Sequence, residues 1–529
     1  LIDWLFGGNF ALLSHMEQEP FQDVFRPYRL DEEGRRRIGE FWYRALEIIP
    51  GAIVWATIII SLVASFVAPL WVIFYIIAFD IFWLYRVVHF CGLVIVAWSR
   101  FRRARVIDWE SRIQALPRVG EIKHAVFLPT VHEPIEVLRA TLKVLAECCY
   151  PNVKENMIVI LGGEERVGGM FPPKAEILQR EFGRSFLRLM VTIHPADLPG
   201  EIIGKGSNQN WMGHKLKEMI DSLGIPYENV IVSAFDCDTV VHPQYFSHLT
   251  YKYLTHPNPT RSSYQPMVLY DNNIWQSSGP VRVAAFGTSF WLMAELVRPE
   301  RLSTFSSHSM PFKALVDVGF WQKDIVSEDS RIFLQCLVHY DGNYTVTPLY
   351  VPVAMDAISG EGFWGSVKNL YKQQRRWAWG IENFPFLVSR LRGRPNFPLR
   401  EKIYYVWNII EGMFTWATAP LLIFVLGRLP LLVAEEQSRV SVFFQNAPHT
   451  LEILMTIAMI GVFFSAVMSL TMLPPPPSGT RRSAWLIFFL QWAMVPITFT
   501  LLGSFPAIDA QTRLMLGKYM GFNVTVKKR

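Results

Sequence analysis

Two aspartates one residue apart, Asp236 and Asp238, stand near the end of the stretch 229–239, NVIVSAFDCDT. Carboxylates at that spacing repel each other unless a cation, a proton or a lysine compensates. A hard divalent ion, Mg²⁺ or Mn²⁺, suits such a pair and keeps coordination places for substrate phosphates. The apolar run leading into them reads as a buried strand of a parallel sheet, and ligands gather beyond the carboxyl ends of such strands. A lone pair of this kind also suits a solvated loop or a helix cap, so other residues have to support the chemical reading.

Several do. Thr130 and Glu133 follow the run AVFLP, and Glu164 with Glu165 follows MIVIL. Gly204-Lys205-Gly206-Ser207-Asn208 precedes a helix-like stretch; its glycines permit close backbone approach and its lysine offers a charge to a phosphate. A turn with a capping Ser or Asn explains it equally well. Phe286-Gly287-Thr288-Ser289 reads as a small polar turn inside an apolar run. Ser327-Glu328-Asp329 opens another helical stretch, where acids are favoured electrostatically but where a carboxylate could also deprotonate an attacking hydroxyl. Gln373-Gln374-Arg375-Arg376-Trp377 follows. Arg and Trp are common membrane-surface anchors; as chemistry, Arg376 could hold a diphosphate leaving group and Trp377 could support a sugar ring. Together these residues outline a nucleotide-diphosphate pocket.

The elements that must position them are of two kinds. At 529 residues the chain exceeds one ordinary domain. Its hydrophobic fraction of 51%, with 18 Trp and 38 Phe, fits aromatic belts at a membrane. A net charge of only +6 gives no reason to expect a nucleic-acid partner. Five cysteines without a CxxC pattern read as reduced thiols, and no cleavable signal peptide is expected because the first apolar stretch comes late. Residues 1–47 read as a cytoplasmic segment and 48–98 as a transmembrane hairpin turned at Pro69, with arms near 48–68 and 70–92. Asp80 and Arg86 in the second arm should face the inner half or other helices. From 105 to 399 short apolar runs at 125–129, 157–161, 189–193 and 230–235 alternate with helical stretches, predicting a mostly parallel, doubly wound sheet. The Trp-, Phe- and Arg-rich block 363–386 predicts an interfacial helix. Residues 400–505 form a second membrane region with candidate spans 403–427, 451–473 and 484–504, followed by a basic tail, 506–529. Three spans would leave that tail outside, against the positive-inside rule, so either a break near Pro420 or a re-entrant segment is required.

The order DxD, Gly-Thr-Ser, (S/T)ED and QxxRW, framed by membrane helices, resembles the membrane-integrated family 2 glycosyltransferases, the group of cellulose, hyaluronan and chitin synthases. The resemblance implies an α/β, GT-A-type cytoplasmic domain inserted between transmembrane helices, a nucleotide-sugar donor (a UDP-sugar is expected), Mg²⁺ or Mn²⁺, and inversion at the anomeric carbon. It implies that Thr130, Glu133 and Glu164 line the nucleoside pocket, although LGGEER replaces the usual aspartate-rich station there. Lys205 would approach the diphosphate, and Asp236 and Asp238 would hold nucleotide and metal, Asp238 as metal ligand. Thr288, Ser289, Glu328 and Trp377 would border the acceptor, Asp329 would be the base, and Gln373 and Arg376 would close the donor site.

The expected activity is thus a hexosyltransferase building a glycan at the inner face of the cell membrane, processive and coupled to export, with membrane lipid around it and an accessory subunit left open. A non-processive transferase using a lipid carrier such as polyprenyl phosphate is the nearest alternative. A transporter carrying a cytoplasmic domain is the alternative of another class; few intramembrane charges speak for it.

Overall fold

The computed structural model describes residues 31–433 and 441–521, so the first thirty residues and the end of the basic tail lie outside the described part. After a short helix over Glu32–Ile38 come two long apolar helices, α1 (Glu40–Val67) and α2 (Pro69–Val106). The chain breaks at Ala68 because Pro69, at the first position of α2, has no N–H to continue the ladder. Of 28 and 38 residues, both exceed the length needed to cross about 30 Å of hydrocarbon at 1.5 Å per residue. The second does not stop near 92 as the sequence suggests. It carries Arg100, Arg102, Arg103 and Arg105 as further turns into the folded domain.

That domain is built on one eight-stranded sheet of order β3-β2-β1-β4-β7-β6-β8-β5. The four apolar runs lie in β1 (Lys123–Pro129), β2 (Met157–Glu164), β3 (Arg188–His194) and β4 (Val230–Ala234), which pair in parallel. The remaining strands are β5 (Val240–Val241), β6 (Ser262–Leu269), β7 (His308–Pro311) and β8 (Thr345–Ala354). Here β7 runs antiparallel to both β4 and β6, and β5 antiparallel to β8. β6 pairs in parallel with β8, so six of the eight strands run the same way and the sheet is mostly parallel, as expected, with β7 and β5 reversed. Its second half is not marked in the sequence, because β6 buries Ser262, Ser263 and Gln265, and strands with polar interiors lack the apolar signature. The register Phe127↔Ala234 brings the carboxyl ends of β1 and β4 level, so Thr130 and Asp236 leave the same edge.

Four helices matter at that edge: α3 (Lys205–Leu223), α4 (Gly279–Leu296), α5 (Glu328–His339) and α6 (Gly362–Ala378). Residues 286–289 are not a turn but the middle of α4. A Cβ on Gly287 would lie 3.4 Å from the Phe499 ring, so the small residue serves close packing of helix on aromatic side chain. The interfacial block is also divided: α6 ends at Ala378, a 3-10 turn covers Trp379–Glu382, and a short helix follows over Asn383–Leu391. Phe363 and Trp364 at its start are exposed, whereas Gln374 and Ala378 are buried.

Beyond the domain, α7 (Leu399–Phe424) bends by 44° into Leu426–Val433, and α8 (Val442–Thr471) packs along α2. Phe443 stacks on Phe74 with centroids 3.8 Å apart, so the start of α8 meets the start of α2. The last apolar segment, 483–515, is broken by a 3-10 turn at Gln491–Met494 and a π turn at Thr500–Ser504. Pro496 and Pro506 account for such breaks. Among the described residues four helices are long and apolar enough to cross a membrane, or five counting the bent pair as one span.

The 483–515 segment qualifies by length and composition, yet both of its ends lie against the sheet domain's side. At one end the Trp275 indole N–H donates to the Pro474 carbonyl at 3.1 Å and its ring packs on Trp485 and Phe488. At the other, Arg44 near the start of α1 donates to the Leu514 carbonyl at 2.8 Å, and Arg375 of α6 meets Asp509 at 3.1 Å. The middle dips towards α7, where the Ser504 hydroxyl donates to the Trp416 carbonyl at 3.2 Å. A segment entering and leaving on one face would remove the parity conflict. In oriented vesicles, Ser478→Cys and Lys518→Cys should both react with an impermeant maleimide from the domain side, and Ala68→Cys from the opposite side. Labelling of 478 and 518 from opposite sides would show a true crossing instead.

Candidate active site

Lys205, the first residue of α3, sends its ammonium under the sheet edge into a group of acids. Its Nζ lies 2.8 Å from Asp236 Oδ1, 3.0 Å from Asp329 Oδ2 and 3.7 Å from Glu328 Oε1. Residues from β4, from the start of α5 and from the start of α3 thus share one nitrogen. Gly206 makes that approach feasible: a Cβ there would sit 3.0 Å from both the Gln322 carbonyl and the Glu328 Cβ. Burial alone would lower the Lys205 pKa, but the charges of Asp236, Asp329 and Glu328 outweigh it and hold the ammonium raised. Glu328 is pushed up to about 8 by burial first and by the adjacent Asp329 charge second. Both causes favour its protonated form over the charged one.

Neighbouring loops complete the acids' hydrogen bonds. Asp238 is buried and its Oδ2 accepts from the Asp356 N–H at 3.1 Å. Asn272 donates to the Asp238 carbonyl at 3.2 Å and to Asp356 Oδ1 at 2.9 Å. Ser306 donates to Asp236 Oδ2 at 2.9 Å, and Thr304 to the Asp329 carbonyl at 2.6 Å. The His308 ring lies 3.9 Å from Asp329 Oδ1, and its pKa is lowered by burial.

Gln373, Arg376 and Trp377 of α6 face the same space. Trp377 and Tyr270 tilt towards each other with centroids 6.0 Å apart, and burial followed by the charges of Asp236 and Asp238 raises the Tyr270 phenol. The link between α6 and α5 is Glu382. Its Oε1 accepts from the Val326 N–H at 3.2 Å, the Ser327 N–H at 3.0 Å and the Ser327 hydroxyl at 2.6 Å; its Oε2 accepts from Trp379 Nε1 at 2.8 Å. A carboxylate at the start of α5 also meets that helix's positive end.

All of this opens into one cavity of about 1050 Å³, which continues from the carboxylates between α2, α7 and α8. Glu133 and Glu164 line its far wall. Thr130 is buried behind it and donates to Glu133 Oε2 at 2.8 Å. Glu164 is held by Arg166 at 2.8 Å and His194 at 3.1 Å. Thr288 reaches the cavity, although its hydroxyl donates to the Ala284 carbonyl at 2.9 Å; Ser289 is buried within α4 and does not line the space. Among the described residues no three His, Cys, Asp or Glu side chains are arranged as a closed metal cage. Mg²⁺ needs only one or two carboxylates beside its waters and substrate phosphates. The carboxylate oxygens of Asp236 and Asp238, beside Asp356, have the hard-donor chemistry for it.

The sequence matches the model described as glycosyl transferase family group 2 over residues 231–502, just over half of the chain. The chain belongs to that family. The matched stretch runs from β4 and its acidic pair through α5 and α6 into the broken membrane segment. No curated protein matches the sequence. Among solved structures, a mannosyltransferase, PcManGT from Pyrobaculum calidifontis, in complex with GDP-Man and Mn²⁺, is 15% identical with a TM-score of 0.40, covering 72% of this chain and 99% of its own. TarS of S. aureus, residues 1–349, is 11% identical with a TM-score of 0.29, covering 64% of this chain and 90% of its own. Family membership rests on the sequence match.

In this family 2 transferase five residues join the site without an advance signal: Tyr270, Ser306, His308, Asp356 and Glu382. Tyr270 and Asp356 follow β6 and β8 just as Asp236 follows β4, so the carboxyl ends of those strands would have pointed to them had the strands been recognisable.

Because Glu328 binds its proton more tightly in the folded chain, stability falls as pH rises from its ordinary value of 4.5 towards about 8. Glu328→Gln should flatten the pH dependence of thermal unfolding across that window. Parallel curves for the two proteins would show that Glu328 is not the buried acid.

Proposed function

We propose that the protein transfers a sugar from a nucleotide-diphosphate sugar, a UDP-sugar by expectation, to a glycan acceptor at the inner face of a membrane. The observation that carries this reading is the shared ammonium of Lys205, which puts Asp329 beside the Asp236 and Asp238 station in a cavity closed by the QQRRW residues. The mixed sheet with acids beyond β4 supports a GT-A-type domain.

In the proposed displacement an acceptor hydroxyl approaches the anomeric carbon from the Asp329 side. Asp329 takes the hydroxyl proton as the new C–O bond forms, and the bond to the nucleotide diphosphate breaks with inversion. Lys205 and Arg376 neutralise the departing phosphate oxygens. A divalent cation bound at Asp238, with Asp236, would supply Lewis-acid charge for the same phosphates. Glu133 and Glu164 border the nucleoside side, Thr130 holds Glu133 from behind, and Gln373 orients the donor from α6. Trp377 with Tyr270 offers the acceptor ring a flat support. Glu328, kept neutral, holds the start of α5 without adding a charge that would repel the donor.

The cavity's extension between the membrane helices supports extrusion of a growing chain and hence processivity. A second reading, transfer to a lipid carrier, draws on the apolar walls that α7 and α8 give the same cavity.

Asp329→Asn should lower transfer by at least about a hundredfold, in line with loss of a general base, while nucleotide-sugar affinity by titration calorimetry stays close to wild type. Asp238→Ala should instead abolish the metal-dependent part of that affinity. Normal turnover by Asp329→Asn would remove the base assignment.

A further inference from the structure

Behind the wall that Glu164 gives the cavity stands a second charged cluster. His194, the last residue of β3, is the register partner of Glu164 and sets its ring between two carboxylates. Its Nδ1 is 3.1 Å from Glu164 Oε2 and its Nε2 is 2.8 Å from Glu201 Oε2. His194 and Glu164 are both buried. Arg166 meets Glu164 Oε2 at 2.8 Å, and Lys323 meets Glu201 Oε1 at 2.8 Å. Asp197 adds its charge near Arg166, while Glu165 accepts from the Ala196 N–H at 2.8 Å. On the α3 side the Trp211 ring meets the imidazole edge-on, centroids 6.2 Å apart, and carries the Lys215 ammonium at 5.1 Å.

Proton counting fixes the state of this ring. A neutral imidazole has one N–H and one bare nitrogen, but here both nitrogens face carboxylate oxygens. A ring that donates to both sides is an imidazolium. Burial works against that charge, yet the hydrogen bonds and charges of Glu164 and Glu201 outweigh it and raise the His194 pKa from 6.5. Once neutral, the ring can serve one side only. It keeps the shorter contact, to Glu201, and turns a bare Nδ1 on Glu164. Glu164 and Arg166 line the cavity, whereas His194 and Glu201 do not, so the ring acts on a ligand through Glu164.

We propose that His194, with Glu201 behind it, is a positioning residue that holds the Glu164 carboxylate against the donor's nucleobase, and that donor binding therefore requires a protonated ring at 194. This rests on the transferase reading, which puts the nucleoside at Glu164. The raised pKa sets the sign: the bond is complete below the ordinary histidine value and is lost as pH rises through the raised one. The diphosphate end of the donor, held at Lys205, does not depend on it.

The test is titration calorimetry on the full chain in nanodiscs, with UDP and with GDP as probes at constant Mg²⁺, at about pH 6 and about pH 9, either side of the histidine range. Glu328 titrates in the same window, so each variant is compared with wild type at both pH values. Wild type should lose about tenfold more affinity on going to the higher pH than His194→Gln does, the size of one charge-assisted hydrogen bond. His194→Gln should already be weaker by about that factor at the lower pH. Glu201→Gln separates positioning from mere support: its amide can donate to Nε2, a neutral ring then keeps its Nδ1–H for Glu164, and the extra loss at the higher pH should vanish. That variant decides the matter alone if His194→Gln does not fold. Equal pH dependence in wild type and Glu201→Gln, or in wild type and His194→Gln, would overturn the role of His194. A wild-type chain that binds neither nucleotide at either pH would overturn the transferase reading itself.

Discussion

The Lys205 ammonium is the point on which the rest of the structure depends. Three separate elements, the end of β4 and the starts of α3 and α5, deliver charges or acids to within 3.7 Å of it. Without the cation, Asp236 and Asp329 would repel each other across the space it fills. The glycine next to it keeps the approach close, since a Cβ at 206 would press on the Gln322 carbonyl and the Glu328 Cβ at 3.0 Å. Proton retention by Glu328 then keeps the cluster from carrying one negative charge too many.

The chemistry was legible where it is written in contiguous residues. Asp236 and Asp238 after an apolar strand, Glu328 and Asp329 before a helix, and the QQRRW run each announce themselves locally, and the fold brings them to one cavity. What stayed hidden comes from strands with polar interiors. Because Ser262, Ser263 and Gln265 are buried in β6, nothing in periodicity marks that strand, and so Tyr270 at its end could not be anticipated. The two reversed strands, β5 and β7, were not announced either, being only 2 and 4 residues long. Residues 286–289 show the converse error: small residues in an apolar run suggest a turn, but here they lie in the middle of α4, with Gly287 against the Phe499 ring.

The membrane part was legible by composition but not by path. Hydropathy cannot distinguish a segment that crosses from one that dips and returns, since both are apolar throughout. Contacts make the difference: Trp275 holds one end of the 483–515 segment and Arg44 the other. The Arg86–Glu411 and Arg298–Glu295 pairs were equally invisible, because their partners are separated by a whole domain or depend on how α2, α4 and α7 pack.

Glu382 fastens the amphipathic α6 to the start of the helix that bears Asp329, through four hydrogen bonds on one side chain. The helix with exposed Phe363 and Trp364 and the helix that begins with Glu328 and Asp329 are thus bolted together by a single rivet. Any displacement of α6 is therefore passed to the start of α5 through one carboxylate.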